Sequence, residues 1–219
     1  MSQLGKTRVF VVDDHPIVRQ GLSQLINREP DLMVCGEAED ARTALDAMVP
    51  AKPDILIVDV SLDGPDGIEL LKTIRARDSK IPVLMLSMHD ESLYAERALR
   101  AGANGYIMKQ EATDRVLIAI RQILDGEVYV SDRMAQRMMH QFIGRPSKGS
   151  IMEDLTDREL EVFRLIGQGH STRQIAEELH LSVKTVESYY AHLKDKLALK
   201  NARELVQHAV QWLTSQAPQ

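Results

Sequence analysis

Residues 53–59, Pro53-Asp54-Ile55-Leu56-Ile57-Val58-Asp59, decide the fold. Ile55 to Val58 are four apolar residues, three of them β-branched, with no polar alternation. That is the pattern of a strand buried on both faces, as in a parallel sheet covered by helices. The run stops at a carboxylate, Asp59, followed by a loop rich in Gly, Pro and Asp. Ligands of open α/β sheets bind outside the carboxyl ends of the strands, so Asp59 stands where chemistry is expected.

Working outward, the same motif repeats. Arg8 to Val12 reads as a first strand stopping at Asp13-Asp14, and Pro16 suits the first turn of a helix carrying Ile17, Leu22, Leu25 and Ile26. Leu32 to Cys35 reads as a second strand and Ala41 to Val49 as a second helix. After the 54–58 strand comes a helix from Gly67 to Arg77, then a strand over 82–86 ending at Ser87. A helix over 91–101 closes at Gly102, a C′ glycine. Gly105 to Met108 is a fifth strand ending at Lys109, and Ala112 to Leu124 a fifth helix. Five strand–helix alternations predict a doubly wound, five-stranded parallel sheet. Right-handed crossovers bring the strand ends to one edge, which collects Asp13, Asp14, Asp59, Ser87 and Lys109.

After Gly126 the strand signal ceases. Ser131 to Phe142 spaces Met134, Met138 and Phe142 as a helix, the Met residues serving packing rather than ligation, and residues 144–150 have linker composition. Thr156-x-x-Glu159 and Ser171-x-x-Gln174 are capping-box spacings. Ser182 starts a third helix running to Leu197, and Ala202 to Leu213 a fourth. The expected organisation is an α/β domain over 1–126, a linker helix and flexible linker over 127–153, and an all-α domain over 154–219.

Composition narrows the class. The longest apolar runs fall far short of a membrane span, and the N-terminus lacks signal-peptide layout, so a cytoplasmic protein without membrane contact is expected. Cys35 is the single cysteine, which excludes an intramolecular disulfide, and it reads as a small buried strand residue. Residues 1–130 carry 15 Lys and Arg against 21 Asp and Glu, whereas residues 131–219 carry 12 against 11. Acidity therefore belongs to the first part, and charge alone does not assign the second to nucleic acid.

Three carboxylates converging on one site need a cation. Oxygen ligands favour a hard ion such as Mg²⁺, which often bridges to phosphate. With the ammonium of Lys109 and the hydroxyl of Ser87, the set suits a carboxylate that accepts a phosphoryl group, Asp being able to act as that nucleophile. Singly, each residue has an ordinary alternative: Asp13-Asp14 as helix caps, Asp59 as a loop acid, Lys109 as a solvated lysine, Ser87 as a turn residue, and His15 as the mark of a helix start. Nucleotide binding is the weaker reading, because no glycine-rich loop follows the first strand.

Val11-Val12-Asp13-Asp14-His15-Pro16, Leu56-Ile57-Val58-Asp59, Leu86-Ser87 and the run from Ala101 to Lys109 resemble a response-regulator receiver domain over residues 6–126. The resemblance implies a flavodoxin-like receiver fold in which Asp59 is phosphorylated by a histidine kinase or a small acyl phosphate. It implies Asp14, Asp59 and the Ser61 backbone carbonyl as direct Mg²⁺ ligands, with Asp13 acting through water. Ser87 and Tyr106 match the switch pair, and Lys109 the phosphate-binding lysine. Two departures stand out: the loop Leu62-Asp63-Gly64-Pro65 adds a carboxylate, and Gln110 follows Lys109 where many receivers have proline, leaving that peptide's isomer open.

In the helix from Ser182 to Leu197, Val186, Tyr190, Leu193 and Leu197 form an apolar stripe opposite Lys184, Glu187, Ser188, Ala191 and Asp195. Periodicity leaves a helix-turn-helix and a plain helical packing module equally open. Leu155-Thr156-Asp157-Arg158-Glu159, Ile175 to Leu179 and Ser182 to Val186 resemble a LuxR-type helix-turn-helix, and with the receiver this is the NarL/FixJ layout. The resemblance implies double-stranded DNA as partner, with Lys184, Thr185 and Lys196 near phosphates and Glu187, Ser188 and Ala191 near base edges. It also implies a homodimer when phosphorylated, with Val206, Val210 and Leu213 as either dimer seam or internal core. The rival expectation is a phosphorelay module whose helical tail binds a protein; a turnover enzyme is disfavoured because the site modifies itself.

Overall fold

The computed structural model describes residues 5–62, 66–77, 80–88, 91–143 and 155–216. Asp63, Gly64 and Pro65 of the loop singled out above, and the linker 144–150, lie outside the described residues. The chain divides into two compact units, residues 1–145 and 146–219.

The first unit alternates strictly. Its strands are β1 (Thr7–Val12), β2 (Leu32–Ala38), β3 (Ile55–Asp59), β4 (Val83–Ser87) and β5 (Gly105–Met108). They alternate with α1 (Pro16–Asn27), α2 (Ala41–Ala51), α3 (Gly67–Ala76), α4 (Glu91–Arg100) and α5 (Ala112–Leu124). All pairings are parallel, in the order β2-β1-β3-β4-β5. This is the flavodoxin-like order, whose direction reverses between β1 and β3. Every residue of β3 and β4 is buried, as unalternating apolar runs require. Val9, Val11, Ile55, Ile57, Leu84, Leu86 and Ile107 pack on one face against Leu22 and Ile26 of α1 and Val116, Ile120 and Ile123 of α5.

Three sequence expectations are corrected here, on Ile17, Cys35 and the end of the second strand, and the isomer left open after Lys109 is answered. Ile17, counted with Leu22, Leu25 and Ile26 at helical spacing, is 85% exposed, because the buried line runs through Leu22 and Ile26. Cys35 is only half-buried. It sits at a bulge where the β1–β2 register slips, Val9 facing Val34 and Phe10 facing Gly36, and burial still pushes its thiol pKa above the ordinary value. The strand itself runs on to Ala38. No cis peptide occurs among the described residues, so the Lys109–Gln110 bond is trans. It opens a 3-10 turn over Lys109–Glu111 that bridges β5 to α5.

After α5 the chain returns to the sheet before forming α6 (Asp132–Ile143). The Tyr129 amide donates to the Asn104 carbonyl at 3.0 Å, and its carbonyl accepts from the Tyr106 amide at 2.8 Å. An otherwise open edge of β5 is thereby partly covered. Both Ser131 groups, amide and hydroxyl, donate to the Glu91 carboxylate of α4, and Met134 of α6 is buried.

The second unit holds α7 (Asp157–Gly167), α8 (Thr172–Glu178), α9 (Val183–Lys196) and α10 (Ala202–Gln216). Both capping boxes form, at Thr156 with Glu159 and at Ser171 with Gln174, and the Ser182 hydroxyl caps α9 by accepting from the Thr185 amide at 3.0 Å. Phe163, Ile175, Val186, Leu193, Leu205 and Ala209 are fully buried among the four helices. The Trp212 ring of α10 lies 5.5 Å from that of Phe163, tilted by 56°.

Candidate functional site

The reversal of strand order puts β1 beside β3 with Val12 opposite Val58, so Asp13 and Asp59 leave the sheet as neighbours. Both carboxylates are buried, at 0% and 1% exposure. The Lys109 ammonium reaches in from the end of β5 and lies 2.7 Å from Asp13 Oδ2 and 2.7 Å from Asp59 Oδ2. Burial pushes the Asp59 pKa up to about 6; Lys109 opposes that shift and Asp13 reinforces it. For Lys109, burial works downward, but the Asp59 and Asp13 carboxylates outweigh it and leave the ammonium above its ordinary value. Asp59 Oδ1 is buried without a hydrogen bond of good geometry.

Asp14 and His15 complete the group. Asp13, Asp14, His15 and Asp59 each offer one donor atom, all within 4.8 Å of one another. The His15 amide donates to Asp13 Oδ1 at 2.9 Å, and its Nδ1 lies 2.5 Å from Asp14 Oδ1. His15 does precede α1 as expected, but its side chain makes no cap bond; it turns to the acids instead. The adjacency of Asp13, Asp14 and His15 in the sequence was the available signal. Three carboxylates suit a hard cation, and a buried Asp59 Oδ1 without a hydrogen bond of good geometry fits that reading. Ser61 follows β3, one residue past buried Val60. Ser87 and Tyr106 are both buried, on the adjacent strands β4 and β5.

One contact behind Asp59 has no sequence signature. Gly67 opens α3 so close to β3 that a Cβ there would lie 1.9 Å from the Asp59 carbonyl oxygen and 3.1 Å from Val58 Cγ1. Its amide donates to the Val60 carbonyl at 2.9 Å. The Asp66 side chain caps the helix by accepting from the Glu69 amide at 2.8 Å.

On the second unit, α8 and α9 are joined by a short turn in which His180 takes φ 52°. Val186, Leu193 and Leu197 are buried and Tyr190 half-buried, whereas Lys184, Glu187, Ser188 and Ala191 are exposed. The Thr185 hydroxyl lies 2.7 Å from that of Ser182, and the Ser188 hydroxyl donates to the Lys184 carbonyl at 3.1 Å. The Lys196 ammonium sits 2.6 Å from Glu159 Oε2. Burial works to raise the Glu159 pKa, but Lys196 and the Thr156 amide hold it below the ordinary value. Among the base-facing and phosphate-facing candidates, Lys184 thus presents a charge to solvent, whereas Lys196 is shared with a capping box.

Residues 9–121 match the response regulator receiver domain, and residues 153–209 match the bacterial regulatory proteins of the luxR family. The chain belongs to the LuxR-type response regulators. It is 34% identical over 209 residues to the oxygen regulatory protein NreC of Staphylococcus haemolyticus, covering 93% of this regulator and 96% of NreC. A crystal structure of a LuxR-family two-component response regulator from Aurantimonas is 38% identical, with TM-score 0.59, and covers 64% of this regulator and all of that chain. RcsB of Salmonella enterica serovar Typhimurium, solved bound to a promoter in the presence of the phosphomimetic BeF3⁻, is 25% identical with TM-score 0.58, covering 94% and 100%. Asp13, Asp14 and Asp59 of this regulator form an acidic pocket of the kind at which receiver domains hold Mg²⁺. No helix among the described residues is long and apolar enough to cross a membrane.

Proposed function

We propose that this regulator accepts a phosphoryl group on Asp59 from a sensor histidine kinase and thereby controls dimerisation and binding to double-stranded DNA in the cytoplasm. The observation that carries the reading is the buried Asp59 carboxylate, paired through Oδ2 with the Lys109 ammonium that also holds Asp13, while Oδ1 remains without a good hydrogen bond. Residues 1–126 serve as receiver, 127–153 as connecting helix and linker, and 154–219 as DNA-binding domain. Asp14, Asp59 and the Ser61 carbonyl would hold Mg²⁺, with Asp13 acting through water. When bound, Mg²⁺ neutralises the carboxylates and stabilises charge on the transferring phosphoryl oxygens.

An Asp59 carboxylate oxygen attacks phosphorus, and the bond from phosphorus to the donor breaks, its electron pair leaving with the donor. Lys109 then pairs with a phosphoryl oxygen, and the Ser87 hydroxyl donates to another. Tyr106 carries the change outward, its amide being bonded to the Tyr129 carbonyl of the segment that leads to α6. In the second unit Lys184, Thr185 and Lys196 contact DNA phosphates, which position α9, and Glu187, Ser188 and Ala191 read base edges. Val206 and Val210 of α10, 42% and 44% exposed, supply a seam for a homodimer.

Treatment with an acyl phosphate and Mg²⁺ is expected to yield a phosphorylated mass and tighter retention of genomic DNA fragments, with affinity falling steeply as salt rises. Equal DNA binding with and without the donor sinks the switch. Binding that ignores salt sinks the DNA interface and favours a protein partner for the helical unit. Glu187→Lys is expected to change the selected sequence at one position, since a carboxylate accepts from cytosine where a lysine prefers guanine, a preference of about 1–3 kcal/mol. An unchanged selected site would remove Glu187 from the reading face.

A further inference from the structure

We infer that Arg19, which lies outside the acidic cluster, is a positioning residue that fixes the peptide joining Asp13 to Asp14 and so sets the geometry they present to a cation. Arg19 is on α1 with its side chain only 15% exposed. Its Nη1 donates to the Asp13 backbone carbonyl at 2.5 Å. Its Nε faces Glu37 Oε2 of β2 at 3.9 Å, and Ser23, one turn along α1, donates its hydroxyl to Glu37 Oε1 at 2.5 Å. The separation from Glu37 is too long for a strong pair, and exposed ion pairs contribute little. The bond to the carbonyl is the closer of these two contacts of the guanidinium.

Asp13 is thereby held through both of its peptide groups. Its amide donates to the Ala38 carbonyl of β2 at 3.1 Å, and its carbonyl is taken by α1 through Arg19. A trans peptide is planar, so fixing the carbonyl of residue 13 also fixes the amide of residue 14. That determines where the Asp14 side chain starts. The Asp13 side chain is set separately, by the His15 amide on Oδ1 and Lys109 on Oδ2. The Asp14 carboxylate is met at its far end by His15, whose Nδ1 lies 2.5 Å from Asp14 Oδ1. Arg19 supplies the constraint at the near end, on the peptide from which the Asp14 side chain starts.

The inference rests on the reading of Asp13, Asp14 and Asp59 as a Mg²⁺ site. Partners of metal ligands typically change metal affinity by 10–100-fold when removed. Calorimetric titration of the full chain with Mg²⁺ tests the role, using Arg19→Met and Arg19→Lys. Arg19→Met is expected to weaken Mg²⁺ binding about tenfold. Arg19→Lys should fall between it and the wild type, because one ammonium reaches the carbonyl but does not reproduce the fork. Melting temperatures without Mg²⁺ should stay close to that of the wild type. A purely electrostatic Arg19 predicts the opposite pattern, since removing a cation near three carboxylates tightens Mg²⁺ and the lysine variant changes nothing. That pattern, or wild-type affinity in Arg19→Met, overturns the inference. If Arg19→Met does not fold, weakened binding by Arg19→Lys supports it and unchanged binding overturns it. A flat titration of the wild type overturns the Mg²⁺ reading and this inference together, and is distinguishable because it precedes any variant.

Discussion

An Asp59→Asn protein is expected to take up no phosphoryl group from an acyl phosphate and, without divalent cation, to be more stable than the wild type near neutral pH. The first effect is the loss of the nucleophile, since an amide oxygen does not replace a carboxylate in attack on phosphorus. The second follows from burial. Asp59 is 1% exposed, and burial lifts its pKa from 3.8 to about 6. The unfolded chain releases this proton near its ordinary value, whereas the folded chain holds it until about pH 6. Across that window the folded state binds more protons, so the wild type loses stability as pH rises. Above the window the full penalty applies, about 3 kcal/mol. Asparagine has no charge to desolvate, and Lys109 keeps Asp13 as its partner at 2.7 Å. Thermal melts of both proteins should therefore diverge near neutral pH and converge near the ordinary carboxylate range. Parallel melts at both pH values would mean that the folded structure does not disfavour the ionised carboxylate, and a phosphorylated mass on the variant would move the acceptor elsewhere.

Gly67→Ala is expected to be the most damaging single-methyl change in the first unit. The added carbon would lie 1.9 Å from the Asp59 carbonyl oxygen and 2.8 Å from its carbonyl carbon. Both are backbone atoms of a strand paired on each side, so neither can turn away as a side chain would. Either α3 lifts from the sheet or the end of β3 shifts, and Asp59 moves in both cases. The cost is about 3 kcal/mol, the upper part of the overpacking range, with phosphoryl acceptance lost in step. Gly21→Ala is the matched control. Nothing lies within 4 Å of its added carbon, and an alanine inside a helix gains roughly 0.5–1 kcal/mol over glycine. Urea unfolding followed by circular dichroism should separate the two variants in opposite directions. Equal stability of Gly67→Ala and the wild type would show that α3 is not wedged against β3.

Much of this was legible in the chain. Strand ends, the C′ glycine at Gly102 with φ 100° and both capping boxes are local features, encoded within a few residues. The switch-point geometry was readable as well, because five βα repeats leave few ways to order the strands. What escaped the sequence depends on partners remote along the chain. Gly67 reads as a poor helix former until β3 is set beside it. Arg19 reads as a solvated arginine until Asp13 turns its carbonyl inward. Lys196 reads as a free cation until Glu159, 37 positions away, meets it across the helical unit. Ile17 shows the reverse failure, an apolar residue at plausible spacing that α1 leaves in water.

The packing of Trp212 against Phe163 carries a practical consequence. The chain has a single tryptophan, half-buried against Phe163 within the second unit. Indole emission therefore follows the melting of the helical unit alone, while circular dichroism sums both. Recording the two signals on one sample resolves whether the units unfold together or in sequence. The same indole gives DNA titrations an internal optical probe that needs no label, placed on α10 rather than on the α9 face turned to solvent.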